Sequence, residues 1–295
     1  MNIISVLKKI INLNYDYVFN IRERQKAVKV RIKKGATGLP SPEEIYHAPY
    51  CFVLSTGRCG TGLLTKILAK SSNLLVLHSP MPTLEYASSL INWIKPPDSS
   101  LKIAILAARW DLFVDSFLRG RIYVETNNRI TFFAYALASL FPNAKFIHLL
   151  RHPADFVRSG MRRGYYEEGS IQYQRLIPLD EGKWADMNRV EKIAWEWNEI
   201  NLFIEGFKST CGSSRIYTLK SENLFTQEGL VIEIFDFLNQ RQPFCSINSI
   251  KKILKKPVNK QVAGDFPKYS SWSKQDKKRL KKIATLAFKY EYEFF

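Results

Sequence analysis

The chain has 295 residues, of which 46% are hydrophobic, and this is enough to build a sizeable core. Its formal net charge of +17 points to an anionic partner such as nucleic acid, an anionic membrane or a small, multiply charged substrate. The four cysteines show neither CxxC nor metal-ligand spacing, which argues against a disulfide framework and favours a reducing compartment.

Residues 1–44 are predicted to form a basic N-terminal arm and linker, followed by one α/β domain over residues 45–295. The first apolar run is broken by Lys8 and Lys9 and is too short for a signal peptide or a membrane span, so we expect a cytoplasmic location. Residues 3–22 have the pattern of a basic amphipathic helix. Two interpretations stay open for it: docking on the protein's own core, or peripheral contact with a membrane.

Beyond the arm, short apolar runs typical of β-strands alternate with helical patterns. The predicted strands cover residues 50–55, 73–79, 121–127, 145–151 and 215–221. The predicted helices cover residues 62–71, 130–141, 153–163, 189–209, 228–238 and 273–292. This alternation predicts an α/β fold with a mainly parallel sheet and helices on both of its faces.

The first motif is the glycine-rich turn in "VLSTGRCGTGLLTKIL", residues 53–68. A strand that runs through such a turn into a helix directs backbone N–H groups, and the positive end of the helix, at one point, which favours a phosphate. Leu63 and Leu64 stand where a nucleotide triphosphatase places Lys and Ser/Thr. The loop therefore disfavours a magnesium-dependent kinase or ATPase.

Within this loop, Arg58 can supply a guanidinium group and Thr61 a hydroxyl. Cys59 is interpreted as an ordinary loop cysteine rather than an activated thiol. The reason is that Thr65 stands where a Cys-x5-Arg phosphatase loop needs its arginine.

The second motif is "KFIHLLRHPADFVRSGMRRGYY", residues 145–166. Arg151 ends a strand, Pro153 suits the first turn of a helix, and Ser159 lies on that helix. Arg151 and Ser159 are predicted to bind a second phosphate beside the first loop. His148 and His152 lie on a strand and its following turn, so they are not expected to bind a metal.

With both motifs in this order, the sequence resembles the sulfotransferases that use 3′-phosphoadenosine 5′-phosphosulfate (PAPS). Residues 58–62 match the family's 5′-phosphosulfate loop, and residues 151–159 match its 3′-phosphate motif. Residues 217–238 resemble a further strand and helix of the family, and residues 259–272 resemble its glycine-containing phosphate clamp. Ser221 stands where many members carry a tyrosine, which leaves the adenine contact open.

The resemblance implies a P-loop-type sulfotransferase fold that transfers a sulfuryl group from PAPS to a hydroxyl, or less favourably an amine, without a metal. The residues expected to bind PAPS are Arg58, Cys59, Gly60, Thr61, Gly62, Arg151, Ser159 and Lys260. A glycan, a lipid, a peptide and a small hydroxyl compound all remain open as acceptor. The segments expected to select among them, residues 79–100 and 165–188, carry no readable code.

Two residues are predicted as the catalytic base, Glu125 and His78, with Glu85 as a third candidate. Glu125 and His78 both end predicted strands, and the carboxyl ends of parallel strands share one edge of the sheet. Histidine as a residue type titrates near neutral pH, which suits a base. A solvent-exposed or salt-bridged Glu125 at the strand end, without a catalytic role, is the alternative.

Three other functions are considered. One is a non-catalytic protein of the same fold that binds a nucleotide or a polyanion, and another is an ATP-dependent P-loop kinase. A nucleic-acid binder is suggested by the charge alone, and because no recognised motif supports it, no nucleic-acid partner is expected.

Overall fold

The structure, a computed structural model, describes residues 25–26, 28–33, 35, 38–170, 176, 181–226, 229–240, 253 and 264–294. In this part of the chain five strands form one sheet: β1 (Tyr50–Leu54), β2 (Leu74–Leu77), β3 (Ile122–Glu125), β4 (Lys145–Leu150) and β5 (Ile216–Lys220). All neighbouring strands are parallel, in the order β2-β3-β1-β4-β5. The predicted α/β class and all five predicted strands are confirmed.

The helices that flank this sheet are α1 (Pro42–Tyr46), α2 (Thr61–Leu68), α3 (Glu85–Ile94), α4 (Asp98–Leu118), α5 (Ala134–Leu140), α6 (Pro153–Met161), α7 (Glu181–Ala185), α8 (Arg189–Cys211), α9 (Asn223–Thr226), α10 (Gly229–Phe237), α11 (Lys274–Ile283) and α12 (Leu286–Lys289). Short 3₁₀ segments occupy Asn128–Phe133, Ser213–Arg215 and Tyr269–Ser271. Each strand from β1 to β4 is followed by a helix before the next strand, as parallel pairing requires.

Strands β1 to β4 are buried on both faces of the sheet, and β1 shows how the sequence produces this. Tyr50, Phe52 and Leu54 pack in one apolar cluster, whereas Cys51 and Val53 pack in another. Because successive side chains of a strand point to opposite faces, a continuous apolar run fills both cores. The middle of the sheet is thereby fixed, and the strand ends carry the polar residues.

The long helix α8 stabilises the strand-to-helix turn after β4. Asn188 caps its first turn by accepting from the backbone of Glu191 at 3.0 Å. The fully buried Trp197 donates from its Nε1 atom to the carbonyl of Arg151 at 3.0 Å. A core residue of α8 therefore holds the backbone of a predicted site residue in place.

Four features differ from the sequence prediction. The predicted helix over residues 273–292 is divided into α11 and α12, since the backbone leaves helical geometry at Ala284. The predicted helix over residues 130–141 begins as 3₁₀. The predicted acceptor loop over residues 79–100 contains α3, and the 21-residue α4 was not predicted. The prolines that surround α3 obscured its short helical pattern.

Part of the N-terminal arm contacts the α/β domain. Arg31 donates to the carboxylate of Asp111 at 2.9 Å and to its carbonyl at 2.6 Å, which joins the arm to α4. Residues 3–22, for which an amphipathic helix was predicted, lie outside the described residues. Among the helices that are described, none has the length and apolar character required to cross a bilayer.

Candidate functional site

The carboxyl ends of the five parallel strands meet at one edge of the sheet. The residues that follow these ends are Ser55 after β1, His78 after β2, Thr126 after β3, Arg151 after β4 and Ser221 after β5. Parallel pairing brings both predicted anion-binding motifs, His78 and the backbone of Glu125 to this edge, but the side chain of Glu125 is fully buried and does not open onto it. Crevices at such edges are where open α/β sheets bind their ligands.

The loop between β1 and α2 has the geometry of an anion-binding turn. Gly60 has φ 87° and lies at the N-cap of α2. If this residue were an alanine, its Cβ would lie 3.7 Å from the Cβ of Ser221. Arg58 also has a positive φ, 57°, which costs a non-glycine residue about 1 kcal/mol. Leu63 and Leu64 are 3% and 0% exposed, so the positions that a triphosphatase fills with Lys and Ser/Thr face the core.

The two predicted anion-binding motifs are in direct contact. The Nε atom of Arg58 donates to the Oγ atom of Ser159 at 3.1 Å. Arg151 donates from Nη1 to the carbonyl of Arg58 at 2.7 Å, and its Nη2 atom lies 3.8 Å from a carboxylate oxygen of Asp155. Two guanidinium groups and a hydroxyl thus converge at the start of α2.

The backbone around Arg151 is fixed from two sides. The N–H of His152 donates to Glu222 at 2.8 Å, and the N–H of Ser221 donates to the carbonyl of Leu150 at 2.8 Å. The ring of His152 accepts from the N–H of Ala154 at 3.1 Å and so caps α6. The strand β5 and the start of α6 therefore hold Arg151 at the edge of the sheet.

The described part of the segment predicted as a phosphate clamp, residues 264–272, lies against α6, the helix that carries Ser159. Arg162 donates to the carbonyl of Gly264 at 2.9 Å, and Arg158 donates to the carbonyl of Phe266 at 3.1 Å. Gly264 has φ 79°, and a Cβ there would lie 2.4 Å from the carbonyl oxygen of Arg162. Lys260, also predicted to bind PAPS, lies outside the described residues.

Cys59 is buried beneath the loop. Its Sγ atom donates to the carbonyl of Gly57 at 3.1 Å and lies 3.0 Å from the hydroxyl oxygen of Thr56. Burial raises the pKa of the Cys59 thiol to about 11, so the group is protonated at neutral pH. This geometry suits the predicted ordinary loop cysteine.

His78 faces the end of β3. Its Nδ1 atom lies 2.9 Å from the carbonyl oxygen and 3.0 Å from the hydroxyl oxygen of Thr126. The hydroxyl of Thr126 lies 2.6 Å from that of Thr65 on α2. The imidazole is therefore linked to the helix that follows the predicted anion-binding loop.

Glu125 occupies a different environment. The side chain is 0% exposed, and both carboxylate oxygens accept hydrogen bonds. Arg109 donates to them from Nε at 2.8 Å and from Nη2 at 3.0 Å, Tyr123 donates at 2.7 Å, and Asn127 donates at 3.0 Å. Burial raises the pKa of Tyr123, which keeps its phenol as a donor. This saturated, buried ion pair does not favour Glu125 as a base.

The third candidate base, Glu85, begins α3 and is paired with Arg129. Its side chain is mostly exposed. His78 is therefore the candidate whose surroundings best suit proton transfer. In the described part of the chain, no group of three or more His, Cys, Asp and Glu side chains is arranged to hold a metal ion.

Several residues of the site were missed by sequence reasoning. They are Arg109, Thr126, Thr65 and Glu222. The lone arginine in the apolar stretch "KIAILAARWDLF", residues 102–113, was a usable signal, because a charge in such a stretch needs a buried partner. The two threonines carried no signal, since their contact depends on the pairing of β2, β3 and β1.

Fold and site together define an α/β protein in which two arginines and a serine meet at the carboxyl edge of a parallel sheet. Three similar solved structures are the sulfotransferase domain of the Synechococcus PCC 7002 olefin synthase, a sulfotransferase from Alicyclobacillus acidocaldarius and one from Mycobacterium tuberculosis H37Rv. Their sequence identities are 17%, 15% and 12%, and their TM-scores are 0.49, 0.45 and 0.47. The alignments cover 84%, 80% and 88% of this chain, and 96%, 96% and 81% of the other chains.

No protein-family model and no curated protein matches the chain. The chemistry of the site must therefore be deduced from its own residues.

Proposed function

We propose that this chain transfers a sulfuryl group from PAPS to a hydroxyl, or an amine, of an acceptor. The observation that carries the proposal is the 3.1 Å hydrogen bond from Arg58 to Ser159. It joins the two segments that resemble the 5′-phosphosulfate loop and the 3′-phosphate motif of the sulfotransferases. A nucleotide with anionic groups on both the 5′ and the 3′ position of its ribose matches such a pair of sites.

The residues present fit this ligand chemically. Arg58 and Arg151 supply guanidinium groups, and Thr61 and Ser159 supply hydroxyls. The N-terminal N–H groups of the eight-residue helix α2 lie beside these side chains and add donors for an anion. When bound, PAPS supplies the sulfuryl group and leaves as 3′,5′-adenosine bisphosphate.

The residues of the chain divide the chemical work between them. The loop and Arg58 stabilise the charge that develops on the oxygen between phosphorus and sulfur. Arg151 and Ser159 hold the 3′-phosphate and so orient the donor. As the acceptor oxygen bonds to sulfur and the bond from sulfur to the nucleotide oxygen breaks, Nε2 of His78 accepts the acceptor's proton.

The kinase alternative conflicts with the loop. Leu63 and Leu64 are buried, so the chain offers neither a lysine for the terminal phosphates nor a hydroxyl for Mg²⁺ at those positions. The alternative of a non-catalytic binding protein shares the nucleotide site and differs only in turnover. An experiment has to separate these two possibilities.

The first test is calorimetry with 3′,5′-adenosine bisphosphate, AMP and ATP in the absence of Mg²⁺. We expect the bisphosphate to bind at least tenfold more tightly than AMP, because the second phosphate meets Arg151 and Ser159. Arg151→Ala should remove most of this preference, on the order of 2–3 kcal/mol. Arg121→Ala, at the opposite edge of the sheet, is the matched control, and equal affinities for AMP and the bisphosphate would overturn the proposal.

The second test asks for turnover. Labelled PAPS is incubated with panels of glycans, lipids, hydroxyl-containing peptides and phenols, and transfer of label is measured. Transfer to one class identifies the acceptor. Tight binding of the bisphosphate without transfer to any panel would favour the non-catalytic alternative.

A further inference from the structure

A chain of hydroxyl groups connects His78 to α2. The carbonyl and the hydroxyl of Thr126 lie 2.9 Å and 3.0 Å from Nδ1 of His78. The same hydroxyl lies 2.6 Å from that of Thr65, which donates to the carbonyl of Thr61 at 2.8 Å. His78 follows β2, Thr126 follows β3, and Thr65 lies on the helix after β1. These three strands are neighbours in the sheet, so the hydrogen bonds run directly along its carboxyl edge.

The donor and acceptor of each hydrogen bond follow from the two backbone carbonyls in the network, those of Thr61 and Thr126. A carbonyl only accepts, so Thr65 gives its proton to Thr61 and accepts from Thr126. The carbonyl of Leu77 is the longer alternative acceptor for Thr126, at 3.4 Å. With its proton given to Thr65, the Thr126 hydroxyl accepts from Nδ1 of His78, and the Thr126 carbonyl accepts from the same N–H. In the neutral imidazole the lone pair is then on Nε2.

Burial makes this arrangement selective. Thr126 is 0% exposed, so water does not replace a partner that is removed. A buried hydroxyl without a partner is unfavourable, so the hydroxyl of Thr126 keeps both its donor and its acceptor. The network fixes both the tautomer and the orientation of the ring.

We infer that Thr126 and Thr65 are positioning residues for the base, an inference that rests on the proposed function. They hold His78 with its lone pair on Nε2, and they tie the ring to α2, the helix whose N-terminus faces the donor. The base and the donor loop are thereby held on one rigid frame. Neither threonine touches the reacting atoms, and each acts through His78.

The first experiment reads the tautomer and needs no acceptor. Imidazole ¹⁵N shifts are measured in the full chain with bound 3′,5′-adenosine bisphosphate, and His78→Gln assigns the His78 signals among the four histidines. We expect a protonated Nδ1 and an unprotonated Nε2 at neutral pH. In Thr126→Val the backbone carbonyl of residue 126 remains as one acceptor for Nδ1 and the hydroxyl is lost, so a minor fraction with the proton on Nε2 should appear, whereas Thr126→Ser should restore the original pattern. A proton on Nε2 in the unmodified protein would overturn the inference.

The second experiment measures the rate with the acceptor that the screen identifies. Thr126→Val and Thr65→Val should lower kcat about 10-fold to 100-fold and alter the pH–rate profile, with bisphosphate affinity within twofold of the original. Thr126→Ser and Thr65→Ser should restore the rate. The control is Thr210→Val on α8, another helical threonine that donates to a carbonyl of its own helix.

The outcomes separate this inference from the proposed function. If the unmodified chain binds the bisphosphate but transfers nothing, the proposed function fails, and the ¹⁵N shifts still decide the tautomer. If it transfers label and both valine variants retain the full rate and pH profile, the inference is wrong although the function stands.

Discussion

The guanidinium of Arg58, in the loop after β1, donates to the hydroxyl of Ser159, on the helix after β4, at 3.1 Å. The carbonyl of the same Arg58 accepts from Arg151 at 2.7 Å. The left-handed backbone at Arg58 is thus stabilised by a residue of the second motif. The two predicted anion-binding motifs are thus structurally coupled.

This coupling should appear in the affinity for 3′,5′-adenosine bisphosphate. Arg58→Ala and Ser159→Ala should each weaken binding, and the double variant should lose less than the sum of the two changes. We expect an interaction energy of about 0.5–3 kcal/mol, the range for residues in direct contact. Calorimetry on the four proteins of the cycle measures it.

Ser209→Ala on α8 is the control for loss of a serine hydroxyl, because this residue donates to the carbonyl of Gly206, within its own helix. Its affinity should equal that of the unmodified chain. Strict additivity of the Arg58 and Ser159 changes would show that the two motifs bind their phosphates independently.

Gly264→Ala should detach the candidate clamp from α6. The new Cβ would lie 2.4 Å from the carbonyl oxygen of Arg162, so the segment has to move. We expect bisphosphate affinity to fall about 10-fold, the equivalent of ~1.4 kcal/mol, if this segment closes over the 3′-phosphate.

Gly212→Ala is the matched control for this substitution. Gly212 has φ 81°, close to the 79° of Gly264, but a Cβ there would meet nothing within 4 Å. Both variants therefore place an alanine at a positive φ, and they differ in the collision. Equal bisphosphate affinities in the two variants would contradict a role for the clamp.

The elements that the sequence predicted well are those with a local cause. The apolar run of β1 and the glycines after it specify a buried strand and a tight turn through neighbouring residues alone. The order of the two motifs then placed Arg58 and Arg151 at one edge, since parallel strands share their carboxyl ends.

The environment of Glu125 could not be predicted in the same way. Its carboxylate is neutralised by Arg109, which lies on α4, and that helix was itself missed. A strand-end carboxylate has the same local sequence whether its partner is a substrate proton or a buried arginine. The choice between His78 and Glu125 as a base depended on tertiary contacts.

His148 should make the fold sensitive to acid. Its Nε2 atom donates to Asn201 at 2.9 Å, and burial lowers the pKa of the ring to about 3. In the unfolded chain the ring titrates near pH 6.5, so the unfolded state binds the extra proton below that pH. The stability that the neutral, buried His148 contributes is therefore fully present above about pH 6.5 and is lost as the pH falls toward 3. The free energy of unfolding should fall by roughly 2 kcal/mol between pH 6.5 and pH 5.

Urea unfolding at pH 7 and pH 5 measures this loss. His148→Gln removes the titrating ring, so its free energy of unfolding should differ less between the two pH values than that of the unmodified chain. The control is His47→Gln, because His47 is exposed and pairs with Glu43 on its own helix turn. The same pH dependence in His148→Gln as in the unmodified chain would assign the acid sensitivity elsewhere.

Glu125→Gln should destabilise the protein by about 3–5 kcal/mol, the cost of leaving one partner of a buried ion pair without its counter-charge. The carboxylate accepts two hydrogen bonds from Arg109, at 2.8 Å and 3.0 Å. Arg109 also donates to the carbonyl of Pro82 at 2.8 Å, and Asn127 donates to that of Thr83 at 3.2 Å. The ion pair therefore holds the segment that follows His78, and we expect turnover to fall as this segment loosens.

The pair can be tested apart from any catalytic role. Replacing both partners with apolar residues, as Arg109→Met with Glu125→Leu, should recover much of the stability that Glu125→Gln loses, because no buried charge remains. Chemical denaturation measures the free energy of unfolding of the unmodified chain, Glu125→Gln and the double variant. For turnover, the comparison is His78→Gln. His78→Gln should keep normal stability and lose about 10²-fold in kcat, as expected for a lost base. A Glu125→Gln protein with normal stability and a 10²-fold loss of kcat, beside an active His78→Gln protein, would return the role of base to Glu125.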